Sequence, residues 1–264
     1  MRMKIRDMMM EGKPLSGIEV IDAHCHIGPW FSMSIPEPDL SGQCRGMDRL
    51  GINQALISSM VGIGPDFQAG NRMVAAITRQ YPERFIGYIA LNPNYPAEIG
   101  PELEKYYGIS GMKAIKIHPT FHNYPLTAPN YQEVFDFANA REGVVLSHTW
   151  GVEHIAAFDK IAAGFPKARF ILGHSGGELD AVQLALEVAC KHDNLFLDLA
   201  VSLQYEGIVE LFCHRVGADR VLFGTDAPLL DPRYEIGRIV YADIGEKEKE
   251  KILGLNIKHL LDNV

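Results

Sequence analysis

The sequence is short of the features that would assign it at a glance. Its four cysteines, at 25, 44, 190 and 213, form no C-x-x-C pair. Neither a disulfide framework nor a zinc ribbon is indicated, and a reducing, cytoplasmic setting is expected. Positive charge is in deficit: 25 Lys and Arg against 33 Asp and Glu leave a formal net charge of -8, with no local basic block to offset it. Long-range attraction to nucleic acid or to an anionic membrane is opposed, which favours a small-molecule substrate. No apolar run approaches the roughly 20 residues needed to cross a bilayer. The opening MRMKIRDMMM has only a three-methionine run before Glu11, Gly12 and Lys13, too short for the apolar region of a signal peptide. Low-complexity tracts, Pro/Ser-rich linkers and close internal repeats are missing as well. The 264 residues are 47% hydrophobic and 22% charged, ordinary values for a folded chain. One domain over 1–264 is expected, with residues 1–17 as an N-terminal extension.

What is present is an alternation. The runs IEVIDAH (18–24), INQALIS (52–58), RFIGYIAL (84–91), MKAIKIH (112–118), GVVLSH (143–148), ARFILGH (168–174), NLFLDL (194–199) and RVLFGT (220–225) read as eight strands. Between them, stretches such as NRMVAAITRQY, YQEVFDFANARE, HIAAFDKIAAGF and ELDAVQLALEVACKH repeat apolar residues at the helical spacing of three and four. Parallel strands need long crossovers, and eight such units close into a (β/α)8 TIM barrel of the α/β class, here expected to be distorted. A doubly wound open sheet competes, but no G-x-G-x-x-G follows the first strand. Association into a homo-oligomer is common for such barrels and is left open.

In IDAHCHIGPW (21–30), His24 and His26 lie two positions apart. Side chains alternate along a strand, so both would share a face with Asp22 while Cys25 points away. An isolated H-x-H is more often packing than chemistry. A barrel, however, builds its site at the C-terminal ends of its strands. There the sequence places His24 and His26 after strand one, Lys116 and His118 after strand four, His148 after strand five, His174 after strand six and Asp226 after strand eight. Histidines scattered by core packing would have no reason to collect on one rim. Neutral imidazoles and a carboxylate suit a divalent cation such as zinc. Two bland readings stand beside this one: Asp226 as a helix cap after FGT, and His174 as a hydrogen-bonding group within the rim.

Taken together, DAHCH, KAIKIHP, LSHTW, LGHSGG and FGTDAP resemble the amidohydrolase superfamily, specifically its amidohydrolase-related (amidohydrolase 2) branch of metal-dependent hydrolases and decarboxylases. The resemblance covers nearly the whole chain after residue 17. It implies a divalent metal, commonly zinc, held by His24, His26, His148 and Asp226. It implies for His174 either a second metal or contact with substrate and reactive water. Lys116 falls where binuclear members carry a carboxylated lysine, so one ion is implied, or two if Lys116 is carboxylated. The expected activity is hydrolysis of a small amide or lactone through a metal-activated water. In it Asp226 handles the proton, and His174 or Lys116 polarises the carbonyl. A non-hydrolytic decarboxylase of a small carboxylated substrate is the alternative and uses nearly the same ring. A TatD-like nuclease shares H-x-H and the GTDAP-like ending but lacks an acidic ligand after a middle strand and a basic stripe. A non-catalytic metal-binding protein is the remaining reading.

Around the ring, HPTFHNYPLTAPN (118–130) is a proline-punctuated loop that reads as a pocket wall. His118 is expected to touch substrate, and His122 reads as a surface histidine. Trp30 and Phe31 suit a lid over the mouth, Arg233 a substrate carboxylate, and Asp22 a place behind a metal ligand. An unmodified Lys116 beside a metal would need an anionic partner.

Overall fold

A computed structural model describes residues 3–30, 32, 34–109 and 111–262. Eight parallel strands pair in sequence order: β1 (Ile21–Ile27), β2 (Gln54–Ser59), β3 (Phe85–Leu91), β4 (Met112–Ile117), β5 (Val144–Trp150), β6 (Arg169–Gly176), β7 (Leu195–Asp198) and β8 (Val221–Leu222). The order closes on itself, because Ala23 N donates to Phe223 O (2.9 Å), Asp226 N to His24 O (2.8 Å) and His26 N to Ala227 O (2.7 Å). This is the (β/α)8 barrel that the alternation predicts. Helices such as Phe67–Gln80, Gln132–Arg141, Gly151–Gly164 and Leu179–Lys191 carry the crossovers. Their apolar faces and the outward residues of the strands form one continuous layer. No described helix is long and apolar enough to cross a membrane.

Inside the barrel lies a second, smaller apolar cluster that includes Ile21, Ala23, Leu56, Tyr88, Ala114, Leu146, Ile171 and Leu222. Ile257, Leu260 and Leu261 of the helix Asn256–Leu261 join it. Arg169, at the start of β6, donates to Leu260 O (2.7 Å), which places that helix at the N-terminal end of the barrel. The short helix Ile5–Met10 packs on the helix Pro232–Tyr241 and is tied down by Ile5 N donating to Glu246 Oε2 (3.0 Å).

Most strand boundaries shift by one or two residues from the sequence expectation, and β1 and β8 differ most. Val20 N donates to the side-chain oxygen of Asn53 (2.8 Å), so pairing with β2 begins only at Ile21, and β1 runs on through both histidines. β8 ends at Leu222, but the chain stays beside β1: Thr225 N and Asp226 N both donate to His24 O and Ala227 bridges Cys25, with Asp226 at a φ of 58°. β1 is also irregular: its register with β2 shifts between Asp22 and Cys25. Such a bulge inserts a residue and reverses the alternation. Ala23 faces the interior and Cys25 the helices, and Asp22 lines a gap against Gln43 and Met47. Asp22 therefore does not share the face of His24 and His26, as strict alternation would have it. It ties β1 to the segment after β8 instead. Its Oδ1 accepts from His24 N (3.0 Å) and Thr225 N (3.1 Å), and its Oδ2 from Thr225 Oγ1.

Candidate functional site

The site begins one step above the interior cluster. On β2, β4, β5 and β7 the inward side chain changes from Leu56, Ala114, Leu146 and Phe196 to Ser58, Lys116, His148 and Asp198. His24 and His26 enter from β1, His174 from the last part of β6, and Asp226 from the segment after β8.

Partners behind the imidazoles decide which nitrogen faces inward. His24 Nδ1 is 2.6 Å from Asp198 Oδ2. Burial pushes the Asp198 carboxyl up to about 6, so at neutral pH it is chiefly an acceptor, Nδ1 carries the proton, and His24 Nε2 offers its lone pair to the centre. His174 Nδ1 lies 2.9 Å from Ala200 O, which can only accept. In the neutral ring His174 Nε2 is then an acceptor, and His148 Nδ1, 3.1 Å away, is its donor. His26 donates from Nε2 to Asp226 Oδ1 (2.9 Å), while its Nδ1 is 2.8 Å from Ser58 Oγ. A serine hydroxyl donates or accepts, so Ser58 supports either tautomer of His26.

Donor atoms of His24, His174 and Asp226 lie within 4.8 Å of one another. Burial works against the Asp226 carboxylate, but the hydrogen bond and charge of His26, with His174 and His24 behind them, outweigh it and hold the group below the usual carboxylate range. Burial keeps His24, His118 and His148 well below the ordinary histidine range, hence neutral, which is the ligand form. Lys116 is also buried, and its Nζ donates to His24 Nε2 at 2.9 Å. Burial lowers its ammonium to about 8 against the pull of Asp226 and Asp198. Imidazole nitrogens and a carboxylate oxygen, held from behind by Asp198 and Ser58, fit a divalent cation. Lys116 competes for the same His24 lone pair, so a cation there requires the amine to be neutral or to move aside.

The rim backbone is strained. Among the described residues, four of the six non-glycine positions with positive φ are His174, Ser175, Val201 and Asp226. Each such conformation costs on the order of 1–3 kcal/mol and persists only where its surroundings over-determine it. Asp226 does not cap the helix Pro232–Tyr241: Asp231 does, accepting from Arg233 N (3.0 Å). At Gly224 a Cβ would stand 2.3 Å from Asp198 Oδ1 and 2.8 Å from His24 Cβ, so the close approach of β8 to the centre requires glycine.

The remaining sequence candidates have different surroundings. His118 caps the short helix Pro119–His122 and stacks on His148, with ring centroids 4.0 Å apart and planes at 13°. Phe121 packs on His118 at 4.1 Å and Trp30 on Phe121 at 4.9 Å, so a run of rings leads from Trp30 to His148. Two clefts flank it. An apolar cleft of 640 Å³ is lined by Pro29, Trp30, Met60, Val61, Pro65 and Phe121. A more polar cleft of 670 Å³ reaches His148 and Trp150 between the 119–127 loop and the helix Gly151–Gly164. Phe31 lies outside the described residues. Arg233 is 78% exposed, and its Nε sits 2.9 Å from both carboxylate oxygens of Asp231, so its charge is committed to that neighbour.

His122 is not a surface residue. The turn after Pro119 carries it inward, and Asn94 Nδ2 donates to its carbonyl (2.8 Å). Burial lowers its imidazole to about 4. Asp198 and Ser58 are the residues that sequence reasoning missed. A signal for Asp198 existed, since it is the lone charged residue of NLFLDL and stands two positions beyond Phe196.

Comparison with known proteins follows the same lines. A family model described as amidohydrolase matches residues 21–262. No curated protein sequence matches the chain. Solved structures share its fold at low identity. One is 5-carboxyvanillate decarboxylase from Sphingomonas paucimobilis, 15% identical, with a TM-score of 0.76 over 93% of this chain and 99% of that one. Another is 4-oxalomesaconate hydratase from Rhodopseudomonas palustris, at 18% and 0.71 over 92% and 96%. A third is a probable 2-pyrone-4,6-dicarboxylic acid hydrolase from Acinetobacter baumannii, at 15% and 0.69 over 92% and 99%.

Proposed function

Because the chain belongs to the amidohydrolase family, we propose that it is a metal-dependent hydrolase of a small amide or lactone. The observation that carries this reading is the convergence of His24, His174 and Asp226 donor atoms within 4.8 Å, with His26 Nε2 2.9 Å from Asp226. His24, His26 and Asp226 hold the ion. The fourth donor comes from the His148–His174 pair, whose facing nitrogens are 3.1 Å apart. When bound, a divalent ion, for which zinc suits these donors best, supplies Lewis acidity toward water and a substrate carbonyl.

The chain's own residues do the rest. Asp226 Oδ1, 2.9 Å from His26 Nε2 and 3.6 Å from His24 Nε2, accepts a proton from the attacking water and returns it to the leaving group. Lys116, as the ammonium, donates to the oxygen on which negative charge develops, while His174, whose Nε2 lone pair faces the centre, serves as an acceptor or metal donor. His118, Trp30 and Phe121 hold the unreacting part of the substrate against the run of rings.

A second reading, decarboxylation of a small carboxylated ring, is favoured by the apolar cleft beside Trp30 and Phe121. One of the similar folds is, by name, a decarboxylase of an aromatic acid. The test begins with metal content per chain, by elemental mass spectrometry on protein purified without a metal-chelating tag. Panels of lactones, amides and carboxylates then follow, with acid release and carbon dioxide measured in parallel. Acid release supports hydrolysis, and carbon dioxide transfers the assignment to decarboxylation. Protein that neither carries nor takes up metal overturns both.

A further inference from the structure

We propose that Glu235 and Arg238, a buried ion pair outside the ring of candidate ligands, position His174. Both lie on the helix Pro232–Tyr241, with side chains 2% and 10% exposed. Arg238 Nη1 donates to Glu235 Oε2 (2.9 Å), Leu199 O (3.2 Å) and Ser202 O (3.2 Å), and Nη2 donates to Leu203 O (2.7 Å). Glu235 Oε1 accepts from Val201 N (3.2 Å). Four backbone groups of the five-residue loop 199–203 therefore end on one pair of side chains. That loop needs such a hold, because Val201 is β-branched and has a φ of 56°, a conformation that its surroundings must impose.

Ala200, the second residue of the loop, turns both of its backbone groups toward the site. Its carbonyl accepts from His174 Nδ1 (2.9 Å), and its amide donates to Asp198 Oδ1 (3.0 Å). The other oxygen of Asp198 takes His24 Nδ1 (2.6 Å) and His174 N (3.1 Å). The pair thus fixes a loop carbonyl, the carbonyl fixes the proton on His174 Nδ1, and the Nε2 lone pair is left facing His148 and the centre. A buried ion pair is by itself weak evidence of a stabilising role, since apolar replacements are often neutral. The position of the loop explains this one better than stability does.

The inference rests on His174 serving the proposed centre, yet its first readout needs neither metal nor turnover. Side-chain ¹⁵N NMR of the histidines reports which nitrogen of His174 carries the proton. Arg238→Met is compared with Arg220→Met. Arg220 is a guanidinium of the same kind, donating to Val216 O (3.1 Å), Ala189 O (2.6 Å) and His192 O (3.1 Å) just before β8 begins, at the other end of the barrel. Arg238→Met should convert His174 from a single Nδ1-protonated form to a tautomer mixture and weaken metal binding by about 10–100-fold. Arg220→Met should lower Tm and leave both readouts alone. If Arg238→Met does not fold, Arg238→Lys, which cannot span all three carbonyls, carries the same measurement. An unchanged His174 signal in the folded Arg238 variant overturns the proposal. Absence of metal binding in every protein, with the tautomer shift intact, overturns the proposed function and leaves the positioning role standing.

Discussion

The upper and lower halves of the barrel interior are made by the same strands and are almost equally buried, yet they are built from opposite materials. Below, Leu56, Ala114, Leu146, Phe196 and Leu222 meet one another and the C-terminal helix through carbon. Two residues further along the chain in each case stand Ser58, Lys116, His148, Asp198 and Gly224. His24, His26, Lys116 and His174 are 1–4% exposed, no more than many core aliphatics. Burial therefore does not mark the site; polarity within burial does. In that low dielectric every satisfied polar contact is strengthened and every unsatisfied one is costly. This accounts for the backing bonds from Asp198, Ser58 and Ala200. The strained residues His174, Ser175, Val201 and Asp226 all belong to the upper half, so the lower half acts as the rigid base that tolerates them.

The strongest challenge to this division is Asp226→Asn. If the upper half carries the chemistry, kcat on a responsive substrate should fall by about 10²–10⁴-fold, the usual share of a positioned acid–base group. Tm should stay near that of the parent protein. Full activity in this variant would break the assignment of Asp226. The complementary substitution is Leu146→Ala, two positions below His148. It should cost about 2–5 kcal/mol of stability by opening a cavity, while metal stoichiometry and kcat per folded molecule hold. A large loss of kcat without loss of stability would show that the two halves are not separable.

Much of this division was legible in the sequence, because it is written in period two. The polar residues that close MKAIKIH, GVVLSH and ARFILGH announce a rim before any coordinate does, and the eight-strand count follows from the same runs. What stayed hidden depends on pairing and on loops. The bulge in β1 arises from its register with β2, which no local pattern in IDAHCH encodes. His122 is carried inward by a turn whose direction follows from the Pro119 helix and the Asn94 contact. The orientation of His174 depends on Ala200 O, a backbone group in a loop that leaves no side-chain signature. Asp198 was legible in principle, since it repeats on β7 the polar step seen on β4 and β5.

That last residue sharpens the comparison. Asp198→Asn keeps the volume and an acceptor but removes the charge behind His24 Nδ1, and metal affinity should weaken by about 10–100-fold. Isothermal titration of the metal-free protein with zinc reads this directly. An affinity equal to that of the parent would demote Asp198 from supporting the ligand to supporting only the loop through His174 N and Ala200 N.

The smallest expected effect lies on the boundary itself. Tyr88 belongs to the lower, apolar cluster, but its hydroxyl donates to Ala23 O at 2.6 Å, one residue before His24. Tyr88→Phe removes that donor and leaves a buried carbonyl unpaired, at a cost of about 1 kcal/mol. Were the lower half purely a base, this cost would appear only in denaturant unfolding, with zinc affinity unchanged. A loss of zinc affinity several times larger than the parallel loss for Leu146→Ala would mean that the hydroxyl transmits the position of β1 to His24. The division between floor and site would then run below Tyr88 rather than above it.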